Sequence, residues 1–425
     1  MEQLENRIKR LRLQTVQGLK EKETYMVKVS QIKTPITPVG RFFPAKMPNR
    51  HWAEDIADAQ YASLLLIEVD GTRALWISLD SIGTKKEYTD RVRADLGKLL
   101  DIPVERINIG YTHSHSAVRI GAGEDEQYDE YVRDRLLDTA ERCRKQGLCE
   151  VSAYERNYDG SGFYSNRNGI DKVGDMEIKL IEFRDDNEET KGLILCYACH
   201  STVVNFQNTR SINSDLGGYL SRGLEERYGV YPVVMLGAAG DMSNRCTRQG
   251  NTYEELIRVG EGLLSRMDIR TEERELDLHD FTCDTYQYKR TFVTTREEKQ
   301  AQIANIKKQI EEATTADLKR VFGDALRHAL MHPDGNTFEM DVSGSIWRIG
   351  DLEIATMPAE LFSCFGLQIK KAMPVKCPVF WGYSNYSVGY LYNKEEAGKS
   401  FESAATDIEV GVPEEITEFL CEKVR

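Results

Sequence analysis

Short apolar runs alternate with segments of helical character along most of this chain, and no other feature constrains its fold as strongly. Each run is short enough to be one buried strand, and the clearest lie at residues 62–69, 73–79, 106–111, 176–183, 192–198 and 232–236. Between them, helices are predicted at residues 88–100, 125–146, 215–227 and 252–267. The alternation predicts an α/β fold in which mixed β-sheets are flanked by helices.

The C-terminal part of the chain continues this alternation. Strands are predicted at residues 339–348, 352–357 and 378–382. Pro358 is expected to open a helix that runs to residue 372. On that interpretation Glu360 falls near the third helical position, where glutamate is a common capping residue.

The domain organisation expected is one large domain preceded by a helix. Residues 2–23 show a partial helical period among dense charges, so we divide the chain into an appended helix, 1–24, and a domain, 25–425. No linker rich in Gly or Ser interrupts the domain. A helix-rich insertion is expected at about 293–332. Its apolar stripe favours packing, with an oligomer arm or a lid as the alternative: Ile303, Ile306, Ile310, Val321, Phe322, Ala325 and Leu326.

Charge and hydropathy exclude several classes of protein. The 425 residues carry a net charge of −13, which repels phosphate backbones and anionic membrane surfaces, so we expect no nucleic-acid partner. The apolar runs are far shorter than the roughly 20 residues of a membrane span. The N-terminus is charged and has no apolar signal region, which favours a cytoplasmic location. Nine scattered cysteines then indicate reduced thiols.

Three of the seven histidines directly follow predicted strands, where α/β folds build their sites. His113 and His115 are two residues apart, so in extended backbone their side chains face one side. One could bind a metal while the other acts on its water, or both could be structural, hydrogen-bonded imidazoles. His200 follows a later strand in the same way.

His200 also ends the string Cys196-Tyr-Ala-Cys199-His200, which matches the attachment pattern of c-type haem. A scaffold that binds metal or haem through Cys196, Cys199 and His200 is therefore a non-enzymatic alternative. The cysteines lie in or next to an apolar run and no export signal is present, so buried, inert thiols are favoured.

Other candidate residues carry weaker local signals. The small-residue loop 237–244 could offer backbone N–H donors to an oxyanion, whereas Asp241 and Ser243 within it are more typical of turn or cap residues. A cluster of tyrosines is typical of packing or hydrogen bonding: Tyr383, Tyr386, Tyr390 and Tyr392.

Taken in order, these motifs resemble the neutral/alkaline ceramidase family, zinc amidases that cleave the N-acyl bond of ceramide. The resemblance begins at Ile36-Thr-Pro-Val-Gly40 and extends to the tyrosine-rich segment near residue 402. The matching motifs are Thr112-His-Ser-His-Ser116, Asn213-Ser-Asp-Leu-Gly-Gly-Tyr219, Gly240-Asp-Met-Ser243, Pro358-Ala-Glu360 and the segment around Tyr390. The resemblance implies a single catalytic domain of the neutral ceramidase type.

The resemblance also implies a site. It assigns one catalytic Zn²⁺ to four ligands, His113, His200, Glu360 and Tyr390. We expect zinc-activated water to attack an amide carbonyl, with His115 as the general acid/base. Arg167 and the loop of Asp241 and Ser243 would hold the oxyanion or the acyl group, and Ser243 as nucleophile is the less favoured alternative.

The chain departs from the family pattern at Ala117-Val118, at Asn244 and at Phe401, where the family carries Gly-Pro, Pro and a second tyrosine. The C-terminal β domain of the large ceramidases is also expected to be absent. These departures concern the substrate more than the metal. We therefore predict a lipid-like or small-molecule N-acyl substrate, with a small non-lipid amide or ester as the alternative.

Two further alternatives remain at this point. A (β/α)8 amidohydrolase would place its histidine pair near the first strand, which disfavours it here because several strands precede His113. A family member with decayed chemistry would serve as a binding protein. The sequence leaves a homo-oligomer open.

Overall fold

The computed structural model describes residues 26–39, 53–204, 210–269 and 271–425. In chain order its strands are β1 Val27–Pro35, β2 Asp55–Ile56, β3 Tyr61–Val69, β4 Thr72–Leu79, β5 Ile107–Tyr111, β6 Cys149–Glu150, β7 Ser152–Asp159, β8 Ser165–Asn166, β9 Glu177–Arg184, β10 Thr190–Tyr197, β11 Ser211–Ile212, β12 Val233–Leu236, β13 Met242–Ser243, β14 Glu273–Leu276, β15 Thr282–Thr294, β16 Asn336–Ile349, β17 Leu352–Thr356, β18 Glu360–Leu361, β19 Cys377–Trp381 and β20 Tyr390–Leu391. Its α-helices are α1 Lys86–Leu100, α2 Glu126–Gln146, α3 Asp215–Tyr228, α4 Tyr253–Met267, α5 Arg296–Glu312, α6 Ala316–Ala329, α7 Ser363–Ala372, α8 Phe401–Ala404 and α9 Val412–Lys423.

Three larger sheets form the framework. The first has the strand order β5-β4-β3-β1-β6, the second β12-β10-β9-β7-β14 and the third β15-β16-β17-β19. Each sheet combines antiparallel pairs with one parallel pair. The parallel pairs are β4 with β5, β10 with β12 and β17 with β19. The α/β fold of mixed sheets and helices is confirmed.

One central core joins the three sheets. It contains Leu65 and Trp76 of the first sheet, Ile194 of the second, and Trp347 and Val379 of the third. Successive side chains of a strand point to opposite faces, so the neighbours Leu64 and Leu66 face outward toward helices α1 and α2. Helices α3 and α4 cover the second sheet, and α7 and α9 cover the third.

The parallel pairs explain where side chains from distant parts of the chain can meet. The loops that follow β5, β10, β12 and β17 all leave the carboxyl end of a parallel strand, the edge at which α/β sheets bind ligands. An isolated bridge between Gly110 and Ser384 joins the first sheet to the loop after β19. A side chain on Gly110 would collide with Trp381, because a Cβ atom there would lie 2.3 Å from the indole nitrogen.

The prediction that a helix begins at Pro358 is wrong. Glu360 and Leu361 form the short strand β18, which pairs in parallel with Tyr390 and Leu391. Helix α7 begins only at Ser363. The capping position predicted for Glu360 is therefore wrong too, because tertiary pairing with a strand 30 residues away outcompetes the local helix signal.

The segment expected to be a helix-rich insertion contains α5 and α6, and it connects the two long strands β15 and β16. Residues 293 and 294 belong to β15, which is paired with β16 over its whole length. The apolar stripe packs inward, with Ile303, Ile306 and Phe322 against Ala404 of α8.

The helix predicted at residues 1–24 lies outside the described residues, as does the part of the opening motif from Gly40 onward. The division of the chain into two parts stays a prediction. Among the described helices, none has the combination of length and apolar composition that a bilayer crossing requires.

Glu353 of β17 gives a pH-dependent test of this fold. Its carboxylate is 0% exposed, and burial raises its pKa to about 7 although Arg348 opposes the shift. The folded protein then holds a proton that the unfolded chain releases, so stability from this group is present below pH 4.5 and is lost as the pH rises through 7. Glu353→Gln should therefore stabilise the protein at pH 8, by up to about 3 kcal/mol, and much less at pH 5.

Urea unfolding of both proteins at the two pH values measures this difference. The matched control is Glu339→Gln on the neighbouring strand β16, where the side chain is 64% exposed and no pH-dependent gain is expected. An equal effect of Glu353→Gln at both pH values would contradict the prediction.

Candidate metal centre

His113 lies just past the end of β5 in a left-handed backbone conformation, with φ of +57°. Its ring is buried, and Nδ1 lies 2.7 Å from the carbonyl oxygen of Ile82. A carbonyl only accepts, so Nδ1 carries a proton and Nε2 is the nitrogen that faces the site. Nε2 has no hydrogen-bond partner and lies 3.4 Å from Oε2 of Glu360.

His200 repeats this arrangement at the end of β10. Its Nδ1 donates to the carbonyl oxygen of Ala239 at 2.6 Å, and its Nε2 lies 3.0 Å from the same Oε2 of Glu360. The ring is 0% exposed. Burial, followed by the charge of Arg167, lowers the pKa of His200 to about 3 even though Glu360 opposes the shift. His200 is therefore neutral at physiological pH.

Glu360 and Tyr390 are brought together by the pairing of β18 with β20, in which the two residues are direct partners. The ring of Tyr390 also stacks on His200, with 6.3 Å between centroids. Gly240 allows the loop after β12 to approach this pair, since a Cβ atom there would lie 2.4 Å from the carbonyl oxygen of Glu360. Burial, followed by the charge of Glu360, raises the pKa of the Tyr390 hydroxyl.

These side chains fit a divalent metal ion. The Nε2 atoms of two imidazoles face one carboxylate oxygen, and a cation between these donor atoms would stabilise the arrangement. Imidazole, carboxylate and phenol oxygen are suitable ligands for zinc. The hydrogen bonds from both Nδ1 atoms to backbone carbonyls are the outer contacts that orient histidine ligands. Of the four residues predicted as ligands, His113 and His200 face the Glu360 carboxylate, and Tyr390 is the strand partner of Glu360 and stacks on the His200 ring.

His115 lies next to this group, as its sequence position predicts. Its ring centroid is 4.9 Å from that of His113 and 5.8 Å from that of His200. Candidate ligand atoms of the three histidines all lie within 4.8 Å of one another. His115 is half-buried, whereas the other two are buried.

Arg167 is buried beside Tyr390. Its Nε donates to Oε1 of Glu402 at 2.6 Å, and its Nη2 donates to the carbonyl oxygen of Gly240 at 2.7 Å and to the Tyr390 hydroxyl at 3.2 Å. Burial opposes the charge on Arg167, but the carboxylate of Glu402 and the hydroxyl of Tyr390 raise its pKa overall. The guanidinium group is thus held by Glu402 and directed at the predicted phenol ligand.

Asp241 and Ser243 lie on the loop that carries Gly240. The Asp241 carboxylate accepts from the backbone N–H of Ser363 at 2.7 Å and from Nδ2 of Asn166 at 2.7 Å, so it ties the start of α7 to β8. Burial raises its pKa to about 7. The hydroxyl oxygen of Ser243 accepts from the backbone N–H of Arg245 at 3.1 Å.

The loop 237–244 also contributes backbone carbonyl groups to the site, and its expected role as a source of N–H donors stays a prediction. The carbonyl groups of Ala239 and Gly240 accept from His200 and Arg167, and the N–H of Gly240 donates to Leu361 at 2.8 Å. Its carbonyl groups therefore orient two side chains of the site. A backbone carbonyl that accepts a hydrogen bond from a distant side chain has no distinguishing signal in the local sequence.

Two residues at the site were missed by the sequence analysis. Glu402, which is 0% exposed, follows Phe401, whose ring lies edge-on to that of Tyr390 at 5.7 Å. Tyr383 belongs to the cluster for which packing or hydrogen bonding is predicted, and its ring centroid is 4.5 Å from that of His113, with its hydroxyl 3.5 Å from Nδ1 of His200. An isolated glutamate in a charged stretch and one tyrosine among four carry no signal of this proximity.

Cys199 is buried and Cys196 is half-buried, and neither belongs to the group of candidate ligands that His113, His115 and His200 form among the described residues. Burial raises the pKa of Cys196 to about 12 and that of Cys199 further, whereas metal binding needs a thiolate. All nine cysteines are described, and all are free thiols.

Comparison with known proteins identifies the fold. No protein-family model and no curated protein matches the sequence. Among solved structures, neutral ceramidase from Pseudomonas aeruginosa superposes with a TM-score of 0.67 and 18% sequence identity, over 95% of this chain and 74% of that one. The chain has the neutral ceramidase fold. A ceramidase complexed with C2 gives a TM-score of 0.65 and 16% identity, over 94% of this chain and 75% of that one.

The buried ion pair of Arg167 and Glu402 is expected to stabilise the folded protein, and its contribution to the free energy of unfolding can be tested. Glu402→Ala leaves Arg167 buried without its carboxylate, so we expect a loss of about 3 to 5 kcal/mol in the free energy of unfolding. In the double variant Arg167→Met, Glu402→Leu, apolar groups replace both charges, and most of that loss should be recovered. Urea unfolding of the three proteins measures both effects. A loss below about 1 kcal/mol in the single variant would show that the pair is not a buried one.

Proposed function

We propose that this protein is a zinc-dependent hydrolase that cleaves an amide bond of an N-acyl substrate, as a ceramidase does. One observation carries the proposal: Nε2 of His113 and Nε2 of His200 both face Oε2 of Glu360, at 3.4 and 3.0 Å. The neutral ceramidase fold supports the same reaction class. In this proposal one Zn²⁺ ion is bound by His113, His200, Glu360 and Tyr390.

When bound, zinc would lower the pKa of water and polarise the scissile carbonyl group. The protein's own residues prepare the site for this chemistry. The carbonyl groups of Ile82 and Ala239 hold both imidazoles in the tautomer that presents Nε2. Arg167 donates to the Tyr390 hydroxyl and so stabilises its deprotonated, ligating form.

His115 is the proposed general acid and base. It lies beside His113, with 4.9 Å between the ring centroids, and a half-buried imidazole can take a proton from water and return it to the leaving amine. Ser243 is kept as the less favoured nucleophile. Asp241 is proposed as a positioning residue, since its carboxylate holds Ser363 and Asn166.

We propose a lipid-like substrate, because both structural neighbours are ceramidases. A small non-lipid amide or ester remains the alternative substrate, and the replacement of the family's second tyrosine by Phe401 next to Tyr390 is the observation that favours it. The cytoplasmic location and a homo-oligomeric assembly stay predictions from the sequence.

Zinc binding is the first test. We expect one zinc per chain after loading and dialysis, and a loss of most of that zinc in His113→Ala and in His200→Ala, since each removes one of four ligands. Metal analysis of the purified proteins measures the content. His332→Ala, which alters an exposed histidine beyond α6, is the matched control and should keep its zinc. Equal, near-zero zinc in all four proteins would overturn the proposal.

Turnover of a panel of substrates tests which acyl groups the protein accepts. The zinc-loaded protein should hydrolyse long-chain ceramide and long-chain N-acyl amines, and His115→Ala should lower kcat by about 10²- to 10⁴-fold while zinc content is retained. Fluorescent or mass-spectrometric detection of the released amine gives the rates. Turnover of short polar amides or esters alone would contradict the ceramide-like substrate and leave the zinc hydrolase in place.

A further inference from the structure

Helix α5 of the insertion carries a row of polar side chains on one face, and every one of them contacts residues 398–407. Positions three or four apart on a helix share a face. We call this row the polar stripe of α5, and its members are Lys299, Gln302, Asn305 and Gln309. The apolar residues Ile303 and Ile306 lie beside it and pack on the same segment.

The C-terminal half of the stripe binds the start of that segment. Nδ2 of Asn305 donates to the carbonyl oxygen of Gly398 at 3.1 Å. Nε2 of Gln309 donates to the same oxygen at 3.0 Å and to the carbonyl oxygen of Lys399 at 3.2 Å. Two amide side chains thus hold a turn that is about 90 residues away in sequence.

The N-terminal half of the stripe binds the end of the segment. Nε2 of Gln302 donates to the carbonyl oxygen of Thr406 at 3.3 Å. Lys299 forms an ion pair with Asp407, and the two side chains are only 1% and 7% exposed. The segment is therefore held by α5 on both sides of α8.

Glu402 lies between these two anchored ends. It accepts from Nε of Arg167 and, at 3.1 Å, from Nδ2 of Asn168. Arg167 in turn donates to the hydroxyl of Tyr390, and Phe401 contacts the Tyr390 ring. A displacement of segment 398–407 would move the carboxylate that holds Arg167, and Arg167 would then lose its position at Tyr390.

We propose that the polar stripe of α5 is a positioning element of the candidate site: by anchoring residues 398–407 on both sides of Glu402, it sets where Arg167 meets the Tyr390 hydroxyl. This inference rests on the proposed function in one respect, since Tyr390 is a proposed zinc ligand. It assigns the insertion a role in the site beyond the packing predicted from its apolar stripe.

The test is the triple variant Gln302→Ala, Asn305→Ala, Gln309→Ala. It removes the amide donors and keeps both the apolar packing and the pair of Lys299 with Asp407. The matched control is Gln300→Ala on the same helix, because Nε2 of Gln300 donates to the carbonyl oxygen of Pro333, between α6 and β16, at 2.8 Å and makes no contact with residues 398–407 that the structure shows. Hydrogen exchange by mass spectrometry and the zinc affinity in a chelator competition are measured for wild type and both variants.

We expect the triple variant to exchange at least about fivefold faster at residues 398–407, and also faster at 165–168 and at 389–391. Zinc affinity should fall by about three- to tenfold, less than for loss of a residue that contacts a ligand directly. The Gln300→Ala control should match wild type in all four measurements. If the triple variant fails to fold, Asn305→Ala alone is tested for the same pattern.

Two results would overturn the inference. One is unchanged exchange at residues 398–407 in the triple variant. The other is faster exchange confined to that segment, with 165–168, 389–391 and zinc affinity as in wild type, which would make the stripe a purely local support. Absence of zinc from the wild-type protein would overturn the proposed function instead, and the exchange pattern would still decide whether the stripe positions Arg167.

Discussion

The candidate site depends on one grouping of nitrogen and oxygen donors: the Nε2 atoms of two imidazoles and one carboxylate oxygen. Nε2 of His113 and Nε2 of His200 face Oε2 of Glu360. Hydrogen bonds from both Nδ1 atoms to the backbone carbonyls of Ile82 and Ala239 hold the rings in that orientation. A cation bound among these atoms would stabilise the group. The loops that follow the parallel strands of all three sheets serve to bring these donors together.

A second constraint comes from the buried charge next to that group. Arg167 and Glu402 are 7% and 0% exposed, and each would be costly to bury without the other. Their pairing joins β8 to α8, and the polar stripe of α5 joins α8 to the insertion. The position of Tyr390 beside Arg167 therefore depends on contacts among four distant parts of the chain.

The predictions from sequence succeeded where the signal was local and repeated. Apolar runs and helical periods gave the mixed α/β class, and the histidines after strands lie at the carboxyl ends of those strands. They failed where a distant partner decides the outcome. Pro358 gives a sound local signal for a helix start, yet Glu360 pairs with Tyr390 in a strand instead. Glu402 gave no signal, because its significance comes from Arg167, 235 residues earlier.

By itself, the sequence determined the alternation of strands and helices and the positions of His113, His115 and His200 relative to strand ends, because both follow from side-chain periodicity along the chain. It determined the motif order that led to the expectation of a neutral ceramidase fold. Only the tertiary structure decided which donors face one another, which carbonyls orient them, and that Glu402 and the insertion support Arg167. Those outcomes depend on packing between sheets, where residues far apart in sequence become neighbours and burial changes the cost of every charge.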